Sequence, residues 1–144
     1  MRKQTYTMVA TVVLLGCLAA SANAQCGGIH LIAQVPFQFS AGDRTLPAGE
    51  YLVQCLDPNR RLLVLQSTDG RAAAIMPMIQ VSGTSREGAR LVFHRYENRY
   101  FFVQAWAGGS NGLELPTTHA ENAAARELAA IKSQPKTIAL TAHR

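Results

Sequence analysis

Arg90, His94, Arg95, Tyr96, Arg99 and Tyr100 fall within one short stretch of the chain and form its densest group of side chains able to do chemistry. Guanidinium groups interleaved with aromatic rings can pair with phosphates or carboxylates and lie against sugar or base planes. Arg60, Arg61 and Arg86 could extend such a surface. The plainer reading is that the aromatics stabilise cross-strand pairs while the arginines keep exposed faces and edges soluble. His94 could serve as a general base if the fold brought Arg95 and a carboxylate to it in a deep polar pocket; otherwise it is a surface or interface residue. The carboxylates Asp57, Asp69, Glu87 and Glu97 all sit in turn-forming contexts, where solvated charges are ordinary.

The motifs of the common catalytic machineries are missing. There is no Gly-x-Ser-x-Gly elbow, phosphate-binding loop, dinucleotide fingerprint or His-Glu-x-x-His. Ser133-Gln134-Pro135-Lys136 has the Ser-x-x-Lys spacing of penicillin-recognising enzymes, but it follows a predicted helix and contains a proline, whereas that chemistry needs the serine at a helix start. His30, His94, His119 and His143 show no compact ligand spacing with each other or with the cysteines, so no metal site and no cofactor are expected.

The N-terminus reads as an export signal. A basic start at Arg2 and Lys3 precedes an apolar run over residues 7–20, and Ala22-Asn23-Ala24 has the form of a cleavage site. The run falls short of the eighteen or so residues that span a bilayer. An alternative is lipidation at Cys17, because Leu14-Leu15-Gly16-Cys17 is close to a lipobox. Cleavage after Ala24 lowers the net charge from +5 to +3, twelve basic against nine acidic side chains. That excess suits an anionic envelope polymer and does not argue for nucleic acid. It also removes one of three cysteines and leaves Cys26 and Cys55, which could be bridged in an oxidising compartment or remain separate thiols.

The body of the chain has period-two patterning. Val35, Phe37 and Phe39 alternate with polar residues as one strand from Gln34, with Pro36 marking an edge or a start. Ala41-Gly42-Asp43-Arg44 and Leu46-Pro47-Ala48-Gly49 are turns, a strand follows over residues 50–56, and Asp57-Pro58-Asn59 ends it. Residues 61–67 carry Leu62-Leu63-Val64-Leu65, apolar on both faces, as for a central strand between two layers. Thr68-Asp69-Gly70 turns it into residues 71–76, Pro77 interrupts, and residues 78–81 could continue in either sheet. Residues 82–88 read as a polar loop. A hairpin over residues 89–106, turning at Glu97-Asn98, places Phe93 opposite Phe102 and Leu91 opposite Gln104. Residues 107–112 read as a glycine-rich loop. Thr118-His119-Ala120-Glu121 is a capping box before a helix over residues 123–132, whose thin apolar face is Ala124, Leu128 and Ile131. A final short strand or tail ends the chain.

These elements predict a mainly β fold, an antiparallel β-sandwich or small barrel of six to eight strands with one C-terminal helix. The expected organisation is a cleaved signal over residues 1–24, a β-rich domain over 25–117, a helix packed on it over 118–134, and a strand or tail over 135–144. Val35-Pro36-Phe37-Gln38-Phe39, Leu46-Pro47-Ala48-Gly49-Glu50-Tyr51, Leu91 to Tyr96 with Tyr100-Phe101-Phe102, and Leu113-Glu114-Leu115-Pro116 together resemble a family of small exported bacterial β-rich proteins. The resemblance covers roughly residues 33–121. It implies export and a β-rich fold, and brings no activity with it. The expected function is a non-catalytic envelope or extracellular module that binds a polymer or a partner protein. The alternatives are a small periplasmic hydrolase, or a lipid or small-ligand carrier if the β-structure encloses an empty cavity.

Overall fold

A computed structural model describes residues 29–57, 61–83 and 87–144. The signal segment, Cys17, Cys26, Arg60, Arg86 and the predicted turn residues Pro58 and Asn59 lie outside the described residues. Two β-sheets pack face to face, and one helix lies on the outside of the second sheet, so the predicted sandwich with a C-terminal helix is the fold. The first sheet has the order β1 (His30–Val35), β4 (Gly49–Asp57), β5 (Leu62–Ser67), β6 (Ala73–Pro77), all antiparallel. The second runs β11 (Lys136–Thr141), β8 (Arg90–Tyr96), β9 (Arg99–Trp106), β10 (Asn111–Glu114), β7 (Ile79–Ser82). A hairpin of β2 (Phe39–Ala41) and β3 (Arg44–Leu46) joins it beside the start of β9, through a parallel bridge between Ser40 and Phe101. Helix α1 spans His119–Ala130.

Among the described residues eleven strands replace the expected six to eight, because several predicted elements are divided or were missed. The strand expected from Gln34 is broken at Pro36, which lacks the amide a ladder needs. Val35 ends β1 in the first sheet and Phe39 begins β2 in the second, with Phe37 still packed against the core between them. Pro77 has the same effect between β6 and β7, where the chain passes to the second sheet through the buried Met78. β10 lies where a glycine-rich loop was expected. Gly112 is required there, because a Cβ would come within 2.6 Å of the Trp106 ring. β5 lies inside its sheet as expected, but its second face is only partly buried: Val64 is buried while Gln66 is exposed.

Between the sheets the alternating side chains meet around Phe93, which makes edge-to-face contacts with Phe37, Phe39 and Phe102 at centroid distances of 5.3, 5.2 and 5.7 Å. Such pairs contribute roughly 0.5–1.5 kcal/mol each beyond the area they bury. Tyr51, Leu31, Leu63, Leu65 and Leu91 belong to the same buried cluster. The Tyr51 hydroxyl donates to the Pro47 carbonyl at 2.6 Å, tying the Pro-Ala-Gly turn to the core. Burial and the nearby Asp69 charge push that phenol up. Asp69 performs turn duty: its carboxylate accepts from the Ser67 hydroxyl and the Arg71 amide, and these bonds hold its pKa down.

Candidate functional site

The β8–β9 hairpin carries all six predicted site residues, and its pleat deals them to different surroundings. Phe93 pairs with Phe102 as predicted. Toward the other end a bulge at Val103 shifts the register, so Leu91 faces Ala105 rather than Gln104. Val92, Val103 and Trp106 therefore form a separate apolar cluster. At that end the Arg90 guanidinium lies 4.9 Å from the Trp106 ring centroid, and its Nε is 3.3 Å from a Glu87 carboxylate oxygen.

His94 and Tyr96, two apart on one strand, share the outer face and meet the helix. Thr118 caps α1 as predicted, its hydroxyl accepting from the Glu121 amide at 3.2 Å. The Glu121 carboxylate is buried against the sheet. Its Oε1 accepts from the Tyr96 hydroxyl at 3.1 Å and lies 2.8 Å from His94 Nδ1. An ionised carboxylate only accepts, so Nδ1 carries the hydrogen and Nε2 is the nitrogen left for other partners. Burial, then the Glu121 charge and hydrogen bond, push the Tyr96 phenol up to about 12. Ala124 and Leu128 pack on Tyr96 and Phe101 beside this cluster. Ile131, expected on the same face, is instead the exposed C-cap residue.

Arg95 points the other way, toward the inter-sheet side at the open end of the sandwich. Its strand neighbours there are Lys136 on β11 and Tyr100 on β9. Tyr100 stacks on Phe37 at 3.9 Å, and the Arg95 guanidinium lies over the Tyr100 ring at 5.6 Å, so that ring's faces are engaged by the protein's own groups. Arg95 Nε donates to the Glu97 carbonyl at 2.7 Å, fixing the arginine to the turn. Arg99 reaches back over the helix to Glu127, with both side chains largely in solvent.

Two open clefts flank the Glu97-Asn98 turn. The larger, about 360 Å³, lies between the β2–β3 hairpin and the start of β9, and its wall includes Gln38, Ser40, Thr45, Asn98, Arg99 and Tyr100. The smaller, about 180 Å³, is lined by Arg95, Glu97, Leu128, Ser133, Gln134 and Lys136. The Ser133 to Lys136 segment is thus a wall between helix and β11, not a helix-borne Ser-x-x-Lys. Neither cleft is lined by His94. Sequence reasoning missed Glu121 as a site residue, although the capping-box spacing marked it; nothing local marks Lys136, Gln38 or Asn98.

Among the described residues no group of three or more His, Cys, Asp or Glu side chains is placed to hold a metal ion, and no helix is long and apolar enough to cross a membrane. The arrangement defines a β-sandwich whose turn end offers cations, amides and hydroxyls to solvent. No family model matches the chain, and neither a characterised protein nor a solved structure does.

Proposed function

We propose that this protein is an exported, non-catalytic binding module that engages an anionic envelope polymer at the turn end of its sandwich. The observation that carries this reading is the gathering of Arg95, Lys136 and Arg99 around the Glu97-Asn98 turn, beside two open clefts. Arg95 is held over Tyr100 and pinned to the turn carbonyl, so less side-chain entropy is lost when it meets an anion. The space between the sheets is occupied by buried apolar side chains from both, which favours a surface role. A hydrolase would draw on His94 oriented by the buried Glu121, but the described clefts lie away from that histidine. Export rests on the signal-like residues 1–24, and lipidation at Cys17 is the alternative that intact mass of the mature protein decides.

The test is retention on immobilised heparin as a generic polyanion. Arg95→Ala combined with Arg99→Ala should elute at clearly lower salt than the wild type, since each lost cation–phosphate or cation–sulfate contact removes a salt-dependent contribution. Unchanged retention at low salt overturns the reading.

A further inference from the structure

We infer that the 360 Å³ cleft is a subsite for one acidic sugar unit of such a polymer, a uronic acid residue, and that Glu127 is the internal carboxylate that the ligand's carboxylate replaces. The inference rests on the binding-module reading and deepens it. The volume is at the low end of the roughly 300–1,000 Å³ of small-molecule sites, and its open form admits a unit within a chain. Besides Phe39, the wall combines two carboxamides, Gln38 and Asn98, two hydroxyls, Ser40 and Thr45, the Tyr100 phenol and one guanidinium, Arg99. A carboxamide presents a donor and an acceptor side by side, which suits neighbouring ring hydroxyls, and a guanidinium forks onto a carboxylate. Among the described residues that line the cleft there is no carboxylate; Glu127 meets it only through its pair with Arg99. A lipid tail or an aromatic ligand finds little to bind, because the rings nearby are stacked on one another or buried.

Arg99 already holds a carboxylate, that of Glu127 on α1, with side chains 48% and 68% exposed. Exposed pairs of this kind are worth little in water, so an incoming carboxylate displaces Glu127 at small cost. The helix therefore keeps Arg99 poised at the cleft while the site is empty.

The experiment is calorimetric titration of the folded protein with trigalacturonic acid and with its methyl ester. Wild type should bind the acid more tightly than the ester. Arg99→Ala should weaken the acid severalfold and erase that preference, Asn98→Ala should weaken acid and ester alike, and Glu127→Gln should tighten the acid. Loss in Arg99→Ala with no change in Asn98→Ala means charge attraction without a built subsite and overturns the inference. So does failure of the wild type to bind the trimer while heparin retention still depends on Arg95 and Arg99, a result that leaves the broader reading standing. Loss of both overturns both. Circular dichroism of each variant separates a lost site from a lost fold.

Discussion

Replacing Glu121 tests whether the helix is held by its buried carboxylate or merely by its thin apolar face. In Glu121→Ala the Tyr96 hydroxyl, on a residue only 6% exposed, loses its acceptor, whereas His94, with its side chain 38% exposed, can turn to water. A buried hydroxyl that loses its charged acceptor costs about 1–3 kcal/mol, so a destabilisation near the upper end of that range is expected. Tyr96→Phe made in that background removes the unpaired hydroxyl and should recover about 1–3 kcal/mol, so the double-mutant cycle is non-additive by at least that amount. Denaturant unfolding at pH 7 measures both. The same substitution should lower the Tyr96 pKa from about 12, because it removes the Glu121 charge and hydrogen bond, while burial, the largest cause, keeps it above its ordinary value near 10. The sign of the pH effect follows. A phenol whose folded pKa is raised contributes stability that is fully present below pH 10 and is lost as pH rises through about 12, about 2–3 kcal/mol for wild type. The difference absorbance spectrum of wild type minus Tyr96→Phe follows this titration. A Glu121→Ala protein as stable as wild type, with Tyr96 still titrating at about 12, would refute the reasoning.

Three further outcomes are expected. Phe93→Ala, at the centre of the three edge-to-face contacts, should cost about 3–5 kcal/mol, whereas Ile131→Ala at the exposed C-cap should stay within about 0.5 kcal/mol; equal effects in denaturant unfolding would mean the core is placed wrongly. Gly112→Ala should destabilise by about 1–3 kcal/mol and shift the Trp106 fluorescence, since the added methyl meets the indole; an unshifted spectrum with wild-type stability counts against the close approach. Cys26 and Cys55 should form a bridge, because the Cys55 amide donates to the Ile29 carbonyl at 3.3 Å and only two residues separate Ile29 from Cys26, a span of at most about 10 Å. Alkylation of both thiols in denaturant without reductant would contradict it; a bridge closing about thirty residues stabilises by about 3–4 kcal/mol in the chain-entropy view, lost on reduction.

Local signals of period two and turn chemistry were legible wherever strand and turn both act over neighbouring residues. Gly70 and Gly42 take positive φ at predicted turns, Thr118 caps α1, and the β8–β9 hairpin turns at Glu97 and Asn98. What failed were the places where the chain leaves one sheet for the other. Val35, Phe37 and Phe39 alternate as one strand would, and all three pack in or against the core, yet the break at Pro36 assigns them to different layers. Alternation reports which side chains are buried; it does not report the sheet that buries them. Likewise the Val103 bulge adds a residue to one strand without leaving a mark in the hydrophobic pattern, so Leu91 moved from Gln104 to Ala105.

The same distinction explains the candidate site. Read along the chain, Arg90 to Tyr100 is one basic and aromatic patch, but neighbouring residues of a strand point to opposite faces. His94 and Tyr96 are thereby committed to Glu121 beneath the helix, and Arg95 to the turn end. Sequence proximity therefore divided what function would need together, and strand pairing assembled a different group. Lys136 comes beside Arg95 only because β11 pairs with β8, and Gln38, Ser40 and Thr45 come beside Asn98 and Arg99 because the β2–β3 hairpin joins the start of β9. Each juxtaposition depends on a long-range register, which no local pattern encodes. If the turn end binds an anionic polymer, the residues that determine specificity are these latecomers, Gln38 and Asn98 above all, while the arginines visible in the sequence supply attraction common to any polyanion.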